Sequence, residues 1–389
     1  MKRLLAAAAA ALALAGPALA ETEGVSDTEI KIGGFHDLSG IFAAFSVPAV
    51  KAAQHYFDQV NAAGGVHGRK ITYIVEDHGY QVPKAVQAAN KLINGDHVFA
   101  MLLNLGTPTN LAAFKLMGPK GIPNVSPLTA ARQMVEPLEP WKFMGTAFYY
   151  DHTRAAIRYL IEEKGATGLC AMYLPTDFGT EVQSAMKDEA AAHGMPYLAE
   201  TTHKGDEQDF TGALGKLHEA GCRTIAMALG VRQLITVAVT AQKMGLTDMS
   251  FVVSSAGFIP VVAGALAKNG VTLPFYAGSG YPDVTQRMDV PEVKAWAEDF
   301  TAATGEKAET AAMLGRSAAE LMVRALKAAG PDLTREGFIK AMESLHYEDK
   351  IAGNTVSMSA TDHVAADEIF VSSAEGGVWK LVATIKPGS

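Results

Sequence analysis

At 389 residues the chain is longer than one hydrophobic core usually supports, so two domains of ordinary size, each with a sizeable core, are expected. Acidic side chains outnumber basic ones by 41 to 33, a formal net charge of −8, and an acidic surface argues against a nucleic-acid partner. Two cysteines, Cys170 and Cys222, are too few for a disulfide framework; at the edges of predicted buried strands they read first as small core residues, with a single bridge left open.

The first 20 residues carry Lys2 and Arg3, an apolar stretch over 4–15 and then Ala18-Leu19-Ala20, the small-x-small pattern cut by signal peptidase. Residues 1–20 are therefore read as a signal peptide cleaved after Ala20, with the mature protein starting at Glu21. The apolar run is too short and too Ala-rich for a membrane span of roughly 20 residues. With no Cys at the cleavage site there is no lipid attachment point, and a free periplasmic protein is expected. Loss of Lys2 and Arg3 takes the net charge to −10.

Beyond the leader, short apolar or β-branched runs alternate with amphipathic helical stretches, the pattern of βαβ units and a parallel sheet. Residues 30–35 read as the first strand, 47–61 as a helix ended by Gly64-Gly65-Val66-His67-Gly68, 71–76 as a strand, 83–94 as a helix and 98–104 as strand three. The alternation continues through 109–117, 124–126, 154–164, 168–174, 181–193, 197–203, 210–220, 224–229, 232–244 and 251–254, enough for two doubly wound sheets. The last third changes character, with helices at 293–304 and 311–329 and a third opened by Thr334 as N-cap. It ends in strands at 355–359, 368–372 and 378–385, the last two forming an antiparallel hairpin through Glu375-Gly376-Gly377.

In open α/β sheets ligands bind beyond the carboxyl ends of the strands, where loops and helix N-termini converge. The loop after strand one runs His36-Asp37-Leu38-Ser39-Gly40-Ile41-Phe42-Ala43-Ala44-Phe45, and that after strand three runs Leu105-Gly106-Thr107-Pro108-Thr109-Asn110 into a helix. Thr107-Pro108 reads as an N-cap and first-turn pair, whose free N–H groups suit a carboxylate or another acceptor, although ordinary capping explains these residues equally.

These loops, taken with Val60-Asn61-Ala62-Ala63-Gly64-Gly65-Val66-His67-Gly68-Arg69, Glu76-Asp77-His78-Gly79-Tyr80, Ser126-Pro127, Asp177-Phe178-Gly179, Asp209-Phe210 and Asp332-Leu333-Thr334-Arg335-Glu336, resemble the type I periplasmic solute-binding proteins of the branched-chain-amino-acid kind over nearly the whole mature chain. The resemblance implies two Rossmann-like doubly wound parallel-sheet lobes, 21–146 plus 279–350 and 147–278 plus 351–389, joined by three hinge crossovers near 145–150, 277–281 and 351–355. It further implies a monomer that closes on a small molecule and delivers it to an inner-membrane ATP-driven permease. The family's ligand positions fall on Phe45, Gly106, Thr107, Ser126, Leu128, Thr129 and Ala130 in the first lobe, with Leu105 beside them, and near Tyr149, Tyr150, Phe178, Val231 and Ala256 in the second.

Where amino-acid-binding members place a carboxylate for the ligand's ammonium, this chain has Ala256, and a buried ammonium without a countercharge is costly. The expected lining is aromatic instead, with Phe45, Tyr149, Tyr150, Phe178, Phe258 and Tyr281 near strand-end or crossover loops. Relatives in this subgroup include binders of aromatic carboxylates, which suits that lining. Arg232 is the first choice for a cation facing the carboxylate, with Arg132 and His36 behind it.

Nothing points to an enzyme or a cofactor. Gly278-Ser279-Gly280 lacks the spacing of a nucleophile elbow, and no phosphate loop or dinucleotide fingerprint is present. The 11 histidines are scattered, form no metal-ligand pair and read as surface or capping residues; His36-Asp37 and Asp151-His152 are adjacent pairs without a nucleophile. Three functions remain open: a receptor for an aromatic or similarly apolar carboxylate, a receptor for an aliphatic amino acid or amide with some other ammonium partner, and a ligand sensor feeding a signalling partner.

Overall fold

The protein is described by a computed structural model covering residues 22–366 and 368–385, so the expected signal peptide at 1–20 lies outside the described residues. The first lobe is built on β1 (Glu29–His36), β2 (Lys70–Asp77), β3 (Ala100–Leu102), β4 (Asn124–Val125) and β5 (Lys142–Phe143), all parallel in the order β2-β1-β3-β4-β5. Their connections carry α1 (Ala43–Ala62), α2 (Val82–Asn90) and α3 (Thr107–Met117). The chain then enters the second lobe with α4 (Tyr149–Lys164), β6 (Leu169–Tyr173), α5 (Asp177–Ala192), β7 (Tyr197–Thr202), α6 (Thr211–Glu219) and β8 (Thr224–Ala228). It continues through α7 (Val231–Lys243), β9 (Ser250–Val253), α8 (Pro260–Lys268) and β10 (Phe275–Ser279).

After β10 the chain returns to the first lobe as α9 (Pro291–Thr304), α10 (Thr310–Ala328), α11 (Arg335–Met342) and the hairpin β11 (His346–Asp349) and β12 (Asn354–Ser357). It finishes in the second lobe as β13 (Ile369–Glu375) and β14 (Val378–Ile385). The second sheet runs β14-β13-β10-β9-β8-β6-β7, parallel except that β13 is antiparallel to β10 and to β14. The two doubly wound lobes and the closing hairpin are those the sequence predicts, and Thr334 does cap α11, its hydroxyl accepting from the N–H of Gly337 at 3.0 Å.

Burial explains the run-like strands: every residue of β6 and of β8 is buried, because helices cover both faces of a parallel sheet and leave no solvent side for alternation to register. α1 and α10 pack together; Ala49, Ala52 and Ala53 of α1 are buried, and a Cβ added to Gly315 of α10 would lie 1.9 Å from the carbonyl oxygen of Ala49.

The third crossing falls later than 351–355. Those residues instead turn into β12, which pairs with β11; Arg324 of α10 lies 4.1 Å over the Tyr347 ring and Arg287 donates to the carbonyl of Ile351 at 2.7 Å, so the hairpin belongs to the first lobe. Only near 363–365 does the chain run beside the first crossing, where Met144 donates to the His363 carbonyl and Ala365 to that of Met144, each at 2.9 Å. The cause is β11 itself: His346-Tyr347-Glu348-Asp349 is polar, so it carries no apolar signal of a strand.

Cys170 of β6 and Cys222, just ahead of β8, are fully buried and joined as a disulfide with a Cα–Cα separation of 5.8 Å. The reading as unbridged core residues is therefore corrected; adjacent parallel strands bring the two thiols within bonding reach.

Two stability changes follow. Closing a segment of 52 residues removes chain entropy worth about 2–4 kcal/mol, so paired Cys170→Ala and Cys222→Ala substitution should lower the unfolding free energy by about that amount in urea titrations. Gly315→Ala should destabilise by about 1–3 kcal/mol, the reverse of the usual gain of about 1 kcal/mol when helical Gly becomes Ala, because the new methyl meets backbone; the urea midpoint reads the sign.

Candidate ligand site

The cleft is organised by a buried amide network at the carboxyl ends of β1, β3 and β4. Asn104 accepts from the N–H of Phe35 at 3.1 Å and donates to Asn124 Oδ1 at 2.8 Å, while Asn124 donates to Asn110 Oδ1 at 3.3 Å. Asn110 in turn donates to the carbonyls of Asn104 at 3.0 Å and Gly106 at 2.8 Å. All three asparagines are fully buried, and together they set the entry to α3.

At that entry Gly106 sits at φ 96°, in the left-handed region, and its missing side chain lets Tyr80 approach: a Cβ there would lie 2.8 Å from the Tyr80 ring. Thr107 and Thr129 hydroxyls bond each other at 2.6 Å across the loops after β3 and β4. The first turn of α3 thus faces the cleft with free backbone N–H groups and the positive end of its dipole.

Two adjoining compartments occupy the cleft. The smaller, about 30 Å³, is lined by Leu105, Gly106 and Thr107 and boxed by Phe42, Phe45, Tyr80, Tyr149 and Phe178. The rings contact one another edge-on, Phe42 to Tyr80 at 4.7 Å, Tyr149 to Phe178 at 5.0 Å and Phe42 to Phe178 at 6.1 Å between centroids. The larger, about 70 Å³, runs past Ser126, Gly145, Thr146 and Tyr281 toward α10 and the β11–β12 hairpin. Phe45, Leu128, Thr129, Tyr149 and Ala256 line both, so the two form one continuous site. Burial pushes the Tyr149 phenol up to about 12, with the Thr129 hydroxyl as partner, and keeps it neutral.

The lobes stand closed on this site. Arg132 Nε meets Glu181 Oε1 at 3.0 Å, the Tyr80 hydroxyl reaches Thr176, and Ile41 packs against the backbone of Gly230. Tyr80 and Ile41 come from the first lobe and their partners from the second.

With Arg232 counted, eleven of the fourteen expected residues therefore line the cleft, among them Ser126, whose buried Oγ has no hydrogen-bond partner among the described residues. Tyr150, Val231 and Arg232 do not. Tyr150 turns outward, its hydroxyl bonded to Asp188 at 2.7 Å and its ring under Arg132 at 3.9 Å. Val231, the first residue of α7, is buried, and Arg232 is exposed while Gln233 folds back to cap the N–H of Gly230 at 3.0 Å. Arg132 is paired with Glu181, and His36 is bonded to Tyr73 at 2.8 Å, so none of the three expected cations reaches the cleft.

Phe258 packs on Trp379 at 5.2 Å instead of lining the site. Phe42 and Tyr80 line it although neither stands among the expected residues; Tyr80 lies in the loop after β2, where the strand-end rule applied to β1 and β3 would have found it. The histidines are not all surface residues. His36, His78 and His152 are fully buried, and burial brings them down to about 3, about 4 and about 3, so all three are neutral core groups.

Among the described residues no group of His, Cys, Asp and Glu is arranged to hold a metal ion, and no helix is long and apolar enough to cross a membrane. The profile described as "Periplasmic binding protein" matches residues 29–377. An amino acid binding protein of Pseudomonas aeruginosa is 22% identical over 224 residues, 58% of this chain and 59% of that protein, so the match spans little more than half the relative's length. The fold is shared with the fatty acid ABC transporter substrate-binding protein from Thermomonospora curvata, at TM-score 0.85 and 23% identity over 94% of this chain and 95% of that one. It is shared also with an ABC transporter solute binding protein from R. palustris solved in complex with benzoate, at TM-score 0.79 and 17% identity over 92% and 98%. With the two lobes, the crossings and the interlobe cleft in place, the match over 29–377 makes this chain a member of the periplasmic binding protein family.

Proposed function

We propose that the protein is a periplasmic receptor that closes on an apolar carboxylate, preferentially an aromatic one, and presents it to an inner-membrane ABC permease without altering it. The observation that carries this reading is the aromatic box over the first turn of α3. A flat apolar body would lie against Phe45, Tyr149 and Phe178, and its carboxylate would accept from the α3 N–H groups and from the one hydroxyl hydrogen that the mutual bond of Thr107 and Thr129 leaves free. Helix dipole and hydroxyls take the part assigned to a cation, since no Lys, Arg or His lines either compartment. The relative bound to benzoate and the one described as a fatty acid binder support an acid ligand on this fold.

A second reading is an aliphatic α-amino acid, favoured by the description of the Pseudomonas relative. Against it stands Ala256, which lines the cleft where a countercharge for the ammonium would be needed. Closure is a population shift: contacts from both lobes favour the shut form, which alone would engage the permease. The protein works as a monomer in this account.

Thermal shift against benzoate and cinnamate on one side and leucine and valine on the other separates the readings. The acids should raise the melting point, the stabilisation at about 100-fold excess over Kd being about 2.7 kcal/mol, while leucine and valine leave it unmoved; the reverse pattern would establish an amino-acid site. Gly106→Ala should weaken binding of the same acids roughly tenfold by calorimetry, because a methyl at φ 96° is strained and presses on Tyr80 at the mouth of α3. Unchanged affinity would remove the α3 entry from the ligand site.

A further inference from the structure

The larger compartment continues from the aromatic box to α10 and the β11–β12 hairpin, where its lining is mixed. Leu314, Ala318 and Leu321 of α10 and Val356 of β12 make an apolar passage. With them stand four polar side chains, Ser317, Tyr347, Asp349 and Asn354. Asn354 is 8% exposed, and among the described residues neither its Oδ1 nor the buried Ser317 Oγ and Tyr347 OH have a hydrogen-bond partner. Asp349, 3% exposed, uses Oδ1 to accept from the N–H groups of Ile351 and Ala352 at 2.9 Å each and has no hydrogen bond to Oδ2 among the described residues. Unpaired buried acceptors are costly, and two acceptors beside two free hydroxyls form a place for a donor.

We propose that this chamber is a second subsite, taking a neutral hydrogen-bond-donating group, such as a hydroxyl, at the far end of an elongated apolar acid. The inference rests on the reading of the cleft as a carboxylate site and specifies its substrate class. A neutral donor is preferred over an ammonium because two guanidinium groups already stand beside the hairpin: Arg287 donates to the carbonyls of Lys350 and Ile351 at 2.8 and 2.7 Å, and Arg324 lies over the Tyr347 ring. The chamber is also bounded by all three crossings, through Thr146, Tyr281 and Ala365, so a ligand reaching it contacts the hinge itself.

The test is calorimetry on the mature full-length protein with 3-phenylpropanoate, 3-(4-hydroxyphenyl)propanoate and the 4-aminomethyl analogue. The hydroxyl should improve affinity about tenfold in the wild type, and the ammonium should not. Asn354→Leu should abolish the ratio between the hydroxylated and plain acids. Ser317→Leu, which fills the chamber from α10, should weaken the hydroxylated acid at least tenfold more than it weakens benzoate, and it provides the test if Asn354→Leu fails to fold. An equal affinity for the two acids in the wild type, or a ratio that survives both substitutions, would overturn the chamber while leaving the carboxylate reading standing. Tighter binding of the ammonium analogue would overturn the neutral-donor assignment. No binding of any acid, benzoate included, would overturn both readings together.

Discussion

The cleft depends on one buried polar constraint, the linkage of Asn104, Asn110 and Asn124 beneath the loops that line it. Three carboxamides in an apolar lobe are tolerated only because they satisfy one another and the backbone around them; each bond lost inside would cost about 1–3 kcal/mol in stranded polar groups. Through Phe35, Asn104 holds the end of β1; through Asn124 it holds β4; through Asn110 it fixes the first turn of α3. The loops after β3 and β4 then cross-link, with Gly106 donating to the Leu128 carbonyl at 3.3 Å and Leu128 to that of Asn104 at 2.9 Å. The direction in which α3 presents its N-terminus, and hence where an acid group can rest, is a consequence of that network.

From this fixed floor the rest of the site is assembled by parts that come from both lobes. Phe42, Phe45 and Tyr80 belong to the lobe of α1 and β2, whereas Tyr149, Phe178 and Ala256 belong to the other lobe. An aromatic box divided in this way is complete only when the lobes meet, so apolar burial and closure are one event. The Arg132–Glu181 pair, partly exposed on the arginine side, adds register to that closure more than energy. The larger compartment extends the same logic to the crossings, where an occupant would touch the chain at the points that must rotate.

Much of this was legible in the sequence where local pattern and physical cause coincide. Buried parallel strands such as β6 and β8 read as apolar runs, the Thr334 cap read from its type and spacing, and the strand-end loops held Phe45, Gly106 and Thr107, while Ser126 and Thr129 came from the family resemblance. Illegible features were those decided by distant partners. Arg232 looks available, yet it is exposed while Gln233 turns back on Gly230. Asp349 and Asn354 sit in a polar hairpin, Asn354 in the segment read as the third crossover, and nothing in their local sequence marks either as buried. The cysteines could have been neighbours or strangers; adjacency of β6 and β8 made them a bridge.

The central claim, that binding an apolar acid and shutting the lobes are the same event, is tested most directly by small-angle X-ray scattering of the mature protein with and without saturating benzoate. The account predicts a smaller radius of gyration with benzoate and a profile matching the closed arrangement in which Arg132 meets Glu181. Identical profiles at a benzoate concentration that calorimetry shows to be saturating would contradict it, since the acid would then bind without drawing the lobes together.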